Sequence, residues 1–188
     1  MREGGRILAE ILKKLSEEIK PGITTWSLEE KARRLIEEAG AEPAFLGYND
    51  YPAALCVSVN EEIVHCLPSE RKLMSGDLVS LDLGIRYKGL NIDSATTTLV
   101  KDENDPELNL KGKLIKITKE CLSKGIEAAK IGNAIGDISS GIQKHAEKNG
   151  FSVIRDLVGH GIGRELHEEP EVPNFGKAGK GPVLKEGM

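Results

Sequence analysis

The feature that most constrains this chain is a repeat within it. Residues 18–40, EIKPGITTWSLEEKARRLIEEAG, and residues 128–150, AAKIGNAIGDISSGIQKHAEKNG, share Lys-x-Gly, an amphipathic run, and a closing glycine eighteen positions after the first. The same offset of 110 lays Ile7, Leu12 and Ile19 over Ile117, Leu122 and Ala129. Each unit reads as helix, Lys-x-Gly turn, helix and glycine stop. In the first, Ile7, Leu8, Ile11, Leu12, Leu15 and Ile19 follow the 3.6-residue period. Ser27 with Glu30 forms a capping-box pattern, and Gly40 is a fitting C-terminal stop. In the second, Ile135, Ile138, Ile142 and Ala146 share a face of a helix over 134–148, closed by Gly150. Strand-like stretches follow at 53–65 and 77–100, and again at 151–158. The expectation is an α+β protein of two related halves, helices packed on a largely antiparallel sheet.

The 188 residues suffice for one domain, expected to span 1–188, with halves at about 1–105 and 110–188. A net charge of −4 gives no sign of a general nucleic-acid binder. The apolar runs fall far short of the ~20 residues of a membrane span. The opening MREGGRILAEILKKLSEE is charged and amphipathic, unlike a secretory leader. Cys56, Cys66 and Cys121 form no metal-binding spacing, and so sparse a set fits a reducing cytoplasm.

The segment VSLDLGIRYKGLNIDSATT, residues 79–97, reads as a hairpin turning at RYKG. With the turn centred on Tyr87–Lys88, Asp82 and Asp93 lie directly opposite. Like charges placed so repel, and a cation is the natural reason to keep them. Of four histidines, His145 falls on the predicted helix and reads as surface. His65 sits near a strand end, before Pro68. His160 and His167 lie in LVGHGIGRELHEEP, where Gly159, Gly161 and Gly163 let the backbone approach another element or a ligand.

Carboxylates with one imidazole suit Mn, Fe, Co or Zn ions, and two metals sharing a carboxylate would explain the second aspartate. Such a site would lower the pKa of a water and polarise a carbonyl, as hydrolysis requires. The remaining histidines would bind substrate or an oxyanion. Glu168 and Glu169 are weaker candidates, because HEEPEV lacks the HExxH spacing. Asp77 reads as turn chemistry. Phe45, Tyr48, Tyr51 and Cys56 cluster in FLGYNDYPAALCVSVN; they read equally as core or as the lining of a pocket for a small apolar side chain.

Taken together, FLGYNDYPAALCVSVNEEIVHCLP, LDLGIRYKGLNID and GHGIGRELHEEP resemble the type I methionine aminopeptidases, in the right order and along essentially the whole chain. The resemblance implies the pita-bread fold with its internal pseudo-two-fold, and a two-metal hydrolase of the cytoplasm. Such an enzyme removes the initiator methionine from nascent polypeptide N-termini when the second residue is small. It implies Asp82, Asp93 and His160 as metal ligands, with Asp93 bridging both ions. His65 and His167 would contact substrate and stabilise the tetrahedral intermediate. Phe45, Tyr48, Tyr51 and Cys56 would line the methionine pocket, and Leu166 stands where relatives often carry a bulkier aromatic.

Two further glutamates of the family site, the first in an Ile-Glu-Pro motif, are not in this sequence. The second half is therefore expected to lack its C-terminal part. Met1-Arg2 matches an internal Met-Arg of the family, so the N-terminus is also expected to be shortened. Weak or absent activity of the 188-residue chain follows as an expectation. A monomer is expected, with the ribosome a natural partner. Two rival readings are an Xaa-Pro-type aminopeptidase and a non-catalytic pita-bread binding protein.

Overall fold

A computed structural model describes residues 1–100, 102 and 105–188. The chain forms two compact units, Met1–Lys111 with Ile162–Leu166, and Gly112–Gly161 with His167–Met188.

The first unit opens with helix α1 (Arg2–Glu18), which buries Leu8, Ile11, Leu12 and Leu15 on one stripe. Helix α2 (Thr25–Glu38) buries Leu28, Ala32, Leu35 and Ile36. Its N-cap is Thr24, whose Oγ1 accepts a hydrogen bond from the Ser27 N–H at 3.1 Å. The expected Ser27–Glu30 box is thus corrected: the helix begins a turn earlier, where Thr24 already holds the extended conformation a cap requires.

The strands follow: β1 (Glu42–Pro43), a 3-10 turn at Tyr48–Asp50, β2 (Leu55–Val59), β3 (Leu78–Tyr87) and β4 (Leu90–Leu99). All pairings are antiparallel, and β3 is central, with β1 and β2 on one edge and β4 on the other. Val79, Leu81, Leu83 and Ile85 alternate inward and share one core with the apolar stripes of α1 and α2. Each such side chain, fully buried, contributes about 1.5–3 kcal/mol. The strand expected over 53–65 stops at Val59 because Asn60 turns into the left-handed region, at φ 60°.

The β3–β4 hairpin turns on Lys88 and Gly89, both at positive φ, 51° and 77°. This is the two-residue turn whose twist matches antiparallel strands. It shifts the expected register: Asp82 faces Ala95, and Asp93 faces Gly84. The aspartates are diagonal neighbours rather than directly opposed, but the shift is by two residues, so they keep one face.

The second unit contains helix α3 (Leu108–Ala128), whose residues up to Lys111 are counted with the first unit, and helix α4 (Ile135–Lys148). The Ala134 N–H donates to Asp137 Oδ2 at 2.8 Å, capping α4. Ile117, Cys121 and Ala146 form its small core with Ile142, Phe151 and Val153. His145 is half-buried rather than simply on the surface, its Nε2 2.7 Å from Glu120 Oε2. Residues 151–158 form no strand. Phe151 and Val153 alternate onto the helix pair, but no strand runs beside them among the described residues. The strands of this unit are β5 (Gly159–Gly161) and β6 (Glu168–Val172), paired antiparallel.

The repeat is geometric as well as sequential. Helices α2 and α4 begin and end 110 residues apart. Gly22 and Gly132 both have φ 90°. The Gly22 N–H donates to Leu73 O at 2.8 Å, and the Gly132 N–H to Leu184 O at 3.1 Å. Isolated bridges join Thr24 to Lys72 and Ala134 to Val183. Among the described residues, no helix is long and apolar enough to cross a membrane.

Candidate functional site

Turning four hydrophobes of β3 inward turns Ser80, Asp82 and Gly84 to the other face. Pairing adds Cys56 from β2 and Asn91, Asp93, Ala95 and Thr97 from β4 to that face. Asp82 and Asp93 share a side-chain hydrogen bond. Burial, and then the neighbouring Asp93 charge, push the Asp82 carboxyl from 3.8 up to about 7. Two carboxylates so close, and partly out of water, are stable together only with a shared proton or a cation. The donor set therefore fits a hard or borderline divalent ion. Among the described residues, no group of three or more His, Cys, Asp or Glu side chains gathers around one point.

Beside the acidic pair lies an apolar cluster. Phe45, Cys56 and Leu166 are buried together, with Ala44, Tyr51 and Ile162 packed against them. Burial pushes the Cys56 thiol up to about 12, so at neutral pH it is an apolar lining group rather than a thiolate. Tyr48 stays 37% exposed on the 3-10 turn, outside that buried cluster. Gly84 lets Phe45 lie flat on the sheet: a Cβ there would stand 2.8 Å from Phe45 Cδ1. Gly84→Ala is therefore expected to displace the ring and cost about 1–3 kcal/mol in a urea titration.

His65 is exposed, in the loop after β2, with φ 59°. In the second unit, His160 and His167 meet edge to face, ring centroids 4.1 Å apart. His160 Nδ1 lies 2.8 Å from Gly161 O, and a carbonyl can only accept. In that contact Nδ1 carries the proton, which in the neutral ring leaves the lone pair on Nε2. The glycines around His160 act as expected: a Cβ at Gly161 would stand 2.8 Å from Glu168 O across the β5–β6 pair. Glu168 and Glu169 are exposed. Asp77 is turn chemistry, its Oδ2 accepting from the Met74 N–H at 2.8 Å.

Two positioning residues escaped the sequence reading. Asn91 holds residues 162–166 to the first unit: its N–H donates to Gly163 O at 2.7 Å, and its Nδ2 to Arg164 O at 2.8 Å. That tether seats Leu166 beside Phe45 and Cys56. Glu29 is fully buried on α2 and accepts from the Ala54 and Leu55 N–H groups at 2.9 and 2.8 Å. It thereby fixes the entry of the strand that carries Cys56. An asparagine in a strand and a glutamate in a helix look ordinary in sequence, and only the capping pattern near Glu29 hinted at a role.

Solved structures define the class. The methionine aminopeptidase from Thermotoga maritima superposes with a TM-score of 0.94 at 43% identity, over 100% of this chain and 74% of that one. The prolidase from Pyrococcus furiosus gives 0.80 at 28% identity, over 97% of this chain and 51% of that one. The architecture is the pita-bread fold of such peptidases.

Residues 1–188 match Metallopeptidase family M24, and the chain belongs to that family. Among curated relatives, the methionine aminopeptidase of Clostridium perfringens is 48% identical, and methionine aminopeptidase 1 of Bacillus subtilis 46% identical. Each match covers all of this chain and 74% of the relative. Membership makes the chain a metal-dependent hydrolase of peptides, with divalent ions as its cofactors.

Proposed function

We propose that the chain is a methionyl aminopeptidase, removing the initiator methionine from nascent polypeptide N-termini that carry a small second residue. The observation that supports it most is the half-buried Asp82–Asp93 pair on the same sheet face as Cys56, whose thiol packs with Phe45 and Leu166. An acidic pair beside an apolar cluster supplies what this reaction needs: a place for cations and a place for an unbranched apolar side chain.

In this reading, Asp82 and Asp93 would hold two divalent ions through their carboxylates, and His160 would add an imidazole. The ions, drawn from Co, Mn, Fe or Zn, would lower the pKa of a water and polarise the scissile carbonyl. Phe45, Tyr51 and Cys56 surround the methionine side chain, with Tyr48 at the edge and Leu166 as one wall. His65 and His167 donate hydrogen bonds to the substrate carbonyl as negative charge develops on it. Residues 1–188 act as one catalytic domain, monomeric and cytoplasmic, meeting substrates at the ribosome.

The test is release of methionine from Met-Ala-Ser by the chain with Mn²⁺ or Co²⁺, beside an Xaa-Pro peptide and an EDTA control. Methionine release that EDTA abolishes is expected. With only two aspartates and one histidine as proposed ligands, the rate is expected to be low. Preferential cleavage of the Xaa-Pro peptide would establish the prolidase-like reading instead. Metal binding with no hydrolysis of either peptide would leave a binding protein.

A further inference from the structure

We infer that the Tyr51 hydroxyl is a positioning device for His65, separate from any contact its ring makes with substrate. The inference rests on the reading of His65 as a substrate-contacting residue. Tyr51 Oη lies 3.2 Å from Leu55 O and 3.2 Å from Cys66 O. The Cys66 carbonyl also accepts the Val57 N–H at 3.1 Å. The Val57 N–H and the Tyr51 hydroxyl, which shares its one proton between Leu55 O and Cys66 O, thus hold the Cys66–Leu67 peptide group, one residue beyond His65.

That hold has something to resist. His65 has φ 59°, a left-handed conformation that a residue with a Cβ adopts only at a cost. Such a residue persists where its surroundings over-determine it. The surroundings here are sparse: Ile63, Val64, His65 and Leu67 are all exposed. The Cys66 carbonyl is the point at which this loop is tied to the sheet beside His65. Because the Tyr51 ring packs against Phe45, Cys56 and Leu166, the clamp is itself anchored in the apolar cluster. Burial and the neighbouring Cys56 keep the phenol protonated well beyond neutral pH, so it remains a donor.

A cluster tyrosine needs only its ring to form a wall. A clamp needs its hydroxyl. Tyr51→Phe separates the two, because phenylalanine keeps the ring. On the 188-residue chain, hydrogen exchange at the Val57 amide is expected to quicken about fivefold, the factor of one net hydrogen bond. The His65 ring Cε1–H resonance is expected to shift or broaden. His65→Gly, which tolerates positive φ, is expected to reduce the effect of Tyr51→Phe on Val57 exchange.

With Mn²⁺ and Met-Ala-Ser, Tyr51→Phe is expected to lower kcat and leave KM close to the parent value. Val57 exchange and a His65 signal that both match the parent would overturn the clamp. So would a KM increase with unchanged kcat. If the parent chain releases no methionine under any metal, the proposed function falls, while the exchange and His65 signals still decide the clamp.

Discussion

In EDTA, the folded chain is expected to lose stability as the pH rises from about 4 to about 8, and millimolar Mn²⁺ is expected to restore it. The cause is Asp82. Its carboxyl titrates at about 7 in the fold and at 3.8 when unperturbed. A group whose folded pKa is raised contributes stability that is fully present below the unfolded value. That contribution is lost as the pH climbs through the folded value. Above pH 7, both Asp82 and Asp93 must be charged on one partly buried sheet face. The loss is on the order of a few kcal/mol, which in a chain this long lowers Tm by roughly 2–4 °C per kcal/mol.

A divalent ion bound only by the folded form reverses the loss by mass action. Asp82→Asn removes the repulsion. The variant is expected to have a flatter pH profile in EDTA, a higher metal-free Tm at pH 8, and no gain from Mn²⁺. Thermal melts read by circular dichroism check all three. A metal-free chain equally stable at both ends of the range, and indifferent to the substitution, would show that the acidic pair is not strained.

The second large effect is expected at Glu29. Its carboxylate accepts two backbone N–H groups and, at 2.6 Å, Arg33 Nε, while the side chain is wholly buried. Glu29→Ala leaves the Ala54 and Leu55 amides buried without acceptors and the Arg33 guanidinium without its carboxylate. Breaking such an arrangement costs about 3–5 kcal/mol. Glu29→Gln keeps one oxygen and is expected to cost roughly 1–3 kcal/mol, since its NH₂ group now confronts a donor. Urea titrations with an unchanged m-value would register the difference as a shift of midpoint. An alanine variant as stable as the parent would mean that the start of β2 is held by its packing alone.

The helical frame was legible because it rests on local signals. Apolar spacing and glycine stops placed α4 within a residue of where it stands, and the end of α2 likewise, while the start of α2 lies a turn before the expected cap. The hairpin was legible in existence but not in register. The sequence RYKG permits turns on Tyr87–Lys88 or Lys88–Gly89, and only the positive φ at both of the latter positions favours the second. The acidic pair survived that error because the side-chain period is two. In the second unit, the run 151–158 has the alternation of a strand, yet a ladder needs a partner, and alternation carries no information about partners.

Residue type alone made Asp82, Asp93, Cys56 and the histidines candidates, and the β3–β4 pairing keeps the two aspartates on one face. Residues that act through tertiary hydrogen bonds are not marked by type. Asn91 and Glu29 gain their roles from chain segments 72 and 25 residues away. Tyr51 was read as pocket lining, and nothing in the sequence shows that its hydroxyl reaches Cys66.

The repeated frame has a consequence for where the candidate site residues lie. From Thr24 to Ala134 the offset is 110, but from Lys72 to Val183 it is 111. The span between the second helix and the returning bridge differs by one residue and entirely in content. In one half it carries β1, a 3-10 turn and β2, and in the other β5 and β6. Each helix pair is thus closed by the same kind of bridge around a different span. Residues 41–71 and 151–182 are the stretches in which the two halves differ. Phe45, Cys56, His65, His160 and His167 all sit in these two spans, so the candidate site residues other than the aspartates lie where the halves differ and not in the helical frame they share.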